Sequence, residues 1–227
     1  MIAENLQKVR ATLQPGVELV AVSKYHPVEA LQEAYDAGQR VFGENHVQEL
    51  VAKQAALPQD IQWHFIGHLQ TNKVKYMASF VSLIHSVDSL KLMKEIDKQA
   101  LKCGRVVDVL LQIHVAAEET KFGFTPDEVV AMLDAGEWRA MANVRIVGLM
   151  AMATNTDDEV QIAQEFDRVR QLFDQVKGQF FADEPTFRHL SMGMSGDYPI
   201  AQAHGSTMVR VGSLIFGERD YSQPFHL

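Results

Sequence analysis

The chain has 227 residues, 21 Lys and Arg against 29 Asp and Glu for a formal net charge of −8, and 47% hydrophobic residues. This is globular composition, which excludes collagen-like, low-complexity and disordered sequence. The acidic balance, with no long basic tract, argues against a general nucleic-acid binder, because little is present to neutralise phosphates.

Residues 1–14 read as a helix that precedes the first strand; the early Glu4 and the lack of a long apolar core do not suit a secretory signal. Residues 17–22 (VELVAV) form the first β-rich run, after which Pro27 suits the first turn of a helix stopped by Gly38. Further strands are expected at 40–42, 62–66 and 81–86. Asp88 then caps a helix that ends at Gly104. The single cysteine, Cys103, sits near that helix end and reads as an inert, packed or half-buried thiol, which excludes an intramolecular disulfide and a multi-cysteine metal site. A strand at 106–115 precedes a helix opened by Thr125-Pro126-Asp127-Glu128 and ended by Gly136. After a strand at 144–151, residues 157–177 repeat Val160, Ile162, Phe166, Val169, Leu172, Phe173 and Val176 at helical spacing. Strands at 186–190 and 208–211 close the series. Every apolar run falls short of the roughly 18 residues of a membrane span, so a cytoplasmic protein without membrane attachment is expected.

Strands alternating with helices imply parallel pairing through crossovers, because parallel neighbours are not joined by tight turns. Eight such units, at about 28 residues each, suit a compact (β/α)8 TIM barrel with an extra N-terminal helix. An open doubly wound sheet satisfies the same alternation. No linker divides the chain, and one domain over residues 1–227 is expected.

In both folds ligands bind at the carboxyl ends of the strands. The first strand exits into Ser23-Lys24-Tyr25-His26, and a lysine there either faces solvent or enters the mouth, where desolvation would lower its pKa and free its amine for an aldehyde. The segment from Ser191 to Asp197 is expected to follow strand seven, and Gly212-Ser213 to follow strand eight. Ser195, Gly196, Gly212 and Ser213 supply the small residues, amides and hydroxyls that hold a phosphate in barrels of this kind. Arg210 would sit beside that phosphate. A lysine, phosphate donors and an intervening cation together describe a pyridoxal 5′-phosphate site, in which an arginine facing the pyridine nitrogen makes a weaker electron sink than a carboxylate does. A barrel that binds a sugar phosphate without this cofactor fits the last two loops alone.

Other groups carry less. His64 and His68 are four apart on a strand and its exit, not on a helix, so no metal site is expected. His114, His189 and His204 read as core or rim residues, and Asn72-Lys73-Val74-Lys75 as a solvated helix start. Met150, Met152, Met192 and Met194 are expected to fill the core. Lys121, in a loop after strand five, is a second candidate for receiving the cofactor.

Five blocks, Ala21-Val22-Ser23-Lys24, Phe42-Gly43-Glu44-Asn45, residues 63–73 (WHFIGHLQTNK), residues 190–195 (LSMGMS) and residues 205–212 (GSTMVRVG), together resemble the YggS/PROSC family of pyridoxal phosphate homeostasis proteins. The resemblance implies a barrel similar to the N-terminal domain of alanine racemase that holds pyridoxal phosphate as an internal aldimine on Lys24. By position it makes Asn45 a neighbour of the cofactor ring, Ser195, Gly212 and Ser213 the phosphate-binding positions, and Arg210 the arginine facing the pyridine nitrogen. Tyr25-His26 stands where the family more usually has Thr-Lys, so the contacts flanking Lys24 depart from its pattern.

Alanine racemases use two bases, one supplied by a further β-domain of a partner subunit. Here the barrel is expected to be complete by about Gly217, with ten residues following. That leaves no provider for the second base. The expectation is therefore a monomeric carrier without catalytic residues, which limits free pyridoxal phosphate and supplies apo-enzymes; a weakly active amino-acid racemase is the alternative.

Overall fold

The computed structural model describes residues 1–119, 122–218 and 221. The strands are β1 (Glu18–Val22), β2 (Val41–Glu44), β3 (Gln62–Phe65), β4 (Leu83–Val87), β5 (Val107–Ile113), β6 (Val144–Ala151), β7 (His189–Met194) and β8 (Met208–Val211). They form a closed barrel in chain order, and every neighbouring pair, including β8 with β1, is parallel. Closure, with Val20 registered on Arg210, decides for the barrel over the open sheet.

The helices are α1 (Ile2–Ala11), α2 (Val28–Asp36), α3 (Val47–Ala56), α4 (Leu90–Lys102), α5 (Pro126–Ala135), α6 (Glu159–Phe180), α7 (Tyr198–Ala203) and α8 (Ser213–Phe216). Helix α1 precedes the first strand and packs on α2 and α8, burying Leu6 and Val9. Thr125 and Glu128 form a reciprocal capping box at the start of α5, and Gly136 ends that helix at φ +78°. Helix α6 buries one face through Ile162, Phe166, Val169, Leu172, Phe173 and Val176, the apolar period read from the sequence.

Two apolar clusters follow from this layering. The large one lies between strands and helices; the small one joins Val20, Val41, Leu83, Leu110, Val147, Met150 and Met208 from six different strands, and so fills the barrel interior.

Several expectations need correction. Strand β7 begins at His189 and ends at Met194, about four residues later than expected at its end, so Ser191 lies inside the strand and not in the loop after it. Ser191, Gly193 and the methionines are poor strand formers, and pairing with β6 and β8 overrides their propensity. Ser89, not Asp88, caps α4, its hydroxyl accepting from the Leu92 amide. Cys103 is exposed, because α4 ends one residue earlier and its apolar period stops at Ala100. Met150 and Met192 are buried, but Met194 is 39% exposed at the end of β7. Residues 71–76 form a 3-10 turn.

Candidate functional site

Strands β1 and β2 carry Val22 opposite Gly43, so two residues further along Lys24 and Asn45 leave the barrel at the same level. Val20 belongs to the interior cluster, and by the two-residue period Val22 shares its face; Lys24 follows in the turn that leaves β1. Lys24 and Asn45 are both half-buried. The Asn45 side-chain oxygen is buried without a hydrogen-bond partner. Its backbone is crowded: a Cβ on Gly67 would lie 2.3 Å from the Asn45 carbonyl oxygen, which is why glycine occupies the adjoining exit of β3.

Beneath Lys24 lies a fully buried lysine. Lys53 Nζ on α3 donates to Glu44 Oε1, to Glu49 Oε1 and to the Ser23 carbonyl, each at 2.7 Å. Ser23 Oγ donates to Glu44 Oε1 at 2.5 Å, and the Tyr25 amide donates to Glu49 Oε1 at 2.6 Å. Both peptide neighbours of Lys24 are thereby tied to one ionic cluster. Burial pushes the Glu44 carboxyl from its ordinary 4.5 up to about 7, against the attraction of Lys53.

The consequence for stability has a definite sign. Between about pH 4.5 and pH 7 the folded chain keeps a proton on Glu44 that the unfolded chain has lost, so this contribution is full below about 4.5 and disappears as pH rises through 7. A lift of this size corresponds to about 3 kcal/mol. Glu44→Gln replaces the protonated acid by a neutral group of the same shape. Its stability relative to the unchanged protein is expected to increase between about pH 5 and pH 8, read as the difference in urea midpoints; a pH-independent difference would refute the assignment.

Inside the barrel a second polar chain joins five strands. Arg210 on β8 makes a short hydrogen bond to Ser191 Oγ on β7 and donates to the Ala151 carbonyl at 3.1 Å. Ser191 Oγ lies 2.9 Å from His85 Nδ1, and His85 Nε2 lies 2.9 Å from His64 Nδ1. With Arg210 as the donor to Ser191, the serine hydroxyl gives its own hydrogen to His85, which carries its proton on Nε2 and donates to His64. Burial pushes His64 down to about 3 and His85 well below the ordinary value, so both rings are neutral. Burial also lowers Arg210, to about 10, and it remains a cation at neutral pH. Arg210 thus lies buried within β8, below the mouth, held by Ser191 and the Ala151 carbonyl.

The loops after β7 and β8 meet. The Gly212 amide donates to Ser195 Oγ at 3.2 Å, and the Met194 amide donates to Asp197 Oδ1 at 2.7 Å. A Cβ on Gly212 would lie 2.9 Å from the Val22 carbonyl oxygen, so only glycine lets β8 leave this close to β1. Ser213 opens α8, where the first amide of a helix has no intrahelical acceptor. Gly196 is exposed, with open space on its Cβ side.

The fold thus brings Lys24, Asn45, Ser195, Gly196, Gly212 and Ser213 to one end of the barrel, with Arg210 below them. Lys121 lies outside the described residues. A 230 Å³ hollow beside Asn45 is lined by His46, His68, Gln70 and Lys73, and a 240 Å³ one beside Gly196 by Thr154, Asn155 and Asp157. A depression of about 620 Å³ lies between α1 and α2 on the outer surface. His68 stacks on Phe122 with ring centroids 3.8 Å apart, His204 pairs with Asp167, and the His114 ring is bonded to the Ala116 carbonyl. Among the described residues no group of three or more His, Cys, Asp or Glu is arranged for a metal, and no helix is long and apolar enough to cross a membrane.

Sequence reasoning passed over Lys53, Glu49, His85 and the inward position of Ser191. Glu49 and Lys53 are spaced i,i+4 on a helix, the usual signature of an exposed pair, so the pattern itself pointed outward.

A closed parallel barrel with a lysine leaving β1 and a caged arginine on β8 defines the class: residues 1–220 match the family described as alanine racemase, N-terminal domain. Within that class the chain is 40% identical over 224 residues to the pyridoxal phosphate homeostasis protein of Aquifex aeolicus (strain VF5), covering 97% of this chain and 96% of that protein. It belongs to the pyridoxal phosphate homeostasis protein family. Among solved structures, PipY of Synechococcus elongatus PCC7942 without PLP superimposes with a TM-score of 0.89 at 40% identity over 96% of this chain and all of that one. The same protein with PLP bound gives 0.85 at 39% identity over the same shares.

Proposed function

We propose that this protein binds pyridoxal 5′-phosphate covalently through Lys24, limits its free concentration in the cytoplasm and passes it to apo-enzymes, as a one-domain monomer without turnover of its own. The observation that carries this reading is the convergence at one barrel mouth of a half-buried lysine, a caged cation below it and the joined β7 and β8 loops. Asn45 adds a buried oxygen with no protein partner, suited to a polar group of a bound ring. The relative solved with PLP bound and the relatives named for its homeostasis, spanned almost end to end, support the same assignment.

When bound, the cofactor supplies a reactive aldehyde and an electron-withdrawing ring. In this reading the Lys24 amine condenses with that aldehyde, one carbon–nitrogen double bond forming and one water leaving. The hydroxyls and amides of Ser195, Gly196, Gly212 and Ser213 bind the phosphate. Arg210, held in place by Ser191 and the Ala151 carbonyl, faces the ring nitrogen, and its positive charge keeps that nitrogen from gaining a proton.

The reading is tested by titrating the purified protein with pyridoxal phosphate. A visible absorbance band is expected to saturate at one equivalent, and the loaded protein is expected to reactivate an apo-enzyme faster than it would by releasing free cofactor. A chain that takes up no cofactor ends the proposal. The family's likeness to alanine racemase favours one further reading, weak racemisation, which chiral analysis of alanine and serine after long incubation decides.

A further inference from the structure

The exit of β1 is an unusual turn. The His26 amide bonds back to the Ser23 carbonyl at 3.1 Å, closing a four-residue turn with Lys24 and Tyr25 at its centre. Tyr25 has φ +65°, the one non-glycine residue described with a positive φ. A turn with this requirement at its third position ordinarily takes Gly or Asn, and a residue with a full side chain is strained in the left-handed region. The chain has been forced into a conformation its sequence does not favour, immediately after Lys24.

The forcing groups are identifiable. Glu49 Oε1 accepts the Tyr25 amide, and the same oxygen is held by Lys53. Lys53 also grips the Ser23 carbonyl, the acceptor that closes the turn, while Glu44 accepts the Ser23 hydroxyl. On the outer side, the Tyr25 hydroxyl lies 2.9 Å from His46 Nε2. Lys53 is fully buried and Glu49 only 2% exposed, so the grip does not compete with water. Such a cluster is a costly feature for a core, since replacing it by apolar groups is often neutral for stability.

We infer that Glu49, anchored by Lys53 and Glu44, is a positioning residue that locks the left-handed turn at Tyr25 and so aims Lys24 into the barrel mouth. The inference rests on the reading of Lys24 as the point of covalent attachment. Lys24 is the second residue of this turn, so the conformation at Tyr25 sets the direction in which Lys24 leaves β1 and feeds the chain directly into α2.

The test exploits residue 25, which is half-buried at the surface, so that its variants fold. Tyr25→Gly and Tyr25→Val both lose the phenol; only valine resists a positive φ. Tyr25→Gly is expected to bind pyridoxal phosphate within about threefold of the unchanged protein, and Tyr25→Val at least tenfold more weakly, a difference near 1.4 kcal/mol. Glu49→Asp keeps the charge beside Lys53 but withdraws the oxygen from the Tyr25 amide. It is expected to lose about tenfold in affinity and in the rate of borohydride trapping of the bound cofactor, and adding Tyr25→Gly is expected to restore most of both. Restoration by a glycine is an effect that mere loss of stability does not produce. Equal binding by the valine and glycine variants, or no restoration of Glu49→Asp, overturns the inference. If the unchanged protein itself takes up no cofactor, the attachment reading has failed instead.

Discussion

Lys24→Ala is expected to abolish covalent retention of pyridoxal phosphate. When the unchanged protein is incubated with the cofactor and reduced with borohydride, the mass of one pyridoxyl phosphate is expected on the proteolytic peptide containing Lys24. In the variant that label is expected to fall by about two orders of magnitude. The reason is the state of the competing lysines: an exposed amine with a pKa near 10.4 is only about one part in a thousand free base at neutral pH. Lys53 is no substitute, being fully buried and bonded to two carboxylates and a carbonyl. Lys24 itself is half-buried, and its truncation leaves the fold in place. One equivalent of label persisting in Lys24→Ala, on any peptide, would sink the assignment.

Lys53→Met is expected to lower the melting temperature more than any other single change discussed. It removes the cation that pairs with both buried Glu44 and buried Glu49, and breaking a buried ion pair from one side costs about 3–5 kcal/mol. For a chain of this size that corresponds to a fall of roughly 6–20 °C. The loss is expected to shrink as the pH drops through about 7, because protonation of Glu44 removes part of the uncompensated charge. Combining Lys53→Met with Glu49→Gln is expected to recover more than half of it. Calorimetry at two pH values checks both statements; a shift under about 2 °C for the single variant would mean that the cluster is electrostatically idle.

The strands were legible because each is an apolar run bounded by turn residues, and strands inside a parallel barrel are covered on both faces. Strand β6 and strand β8 have the boundaries expected from sequence alone. Strand β7 slipped by about four residues, since its second half is Ser191-Met192-Gly193-Met194, a stretch that pairs only because β6 and β8 present ladders to it. The proposed site residues were legible for a related reason: all but Arg210 lie where a strand gives way to a loop. Their positions, though, do not announce the groups that hold them. His85 and Ser191 stand on strands far apart in sequence, and their hydrogen bond exists only across the barrel.

By itself, the sequence determined the alternation of strand and helix, the number of strands and the end of each strand at which chemistry would gather. These are local properties, written in apolar periods and turn residues a few positions apart. The tertiary structure decided closure over an open sheet, the inward turn of Arg210 onto Ser191, and the burial of Lys53 between two glutamates. Each of those joins residues distant along the chain, and a buried charge reads like an exposed one until its neighbours are known.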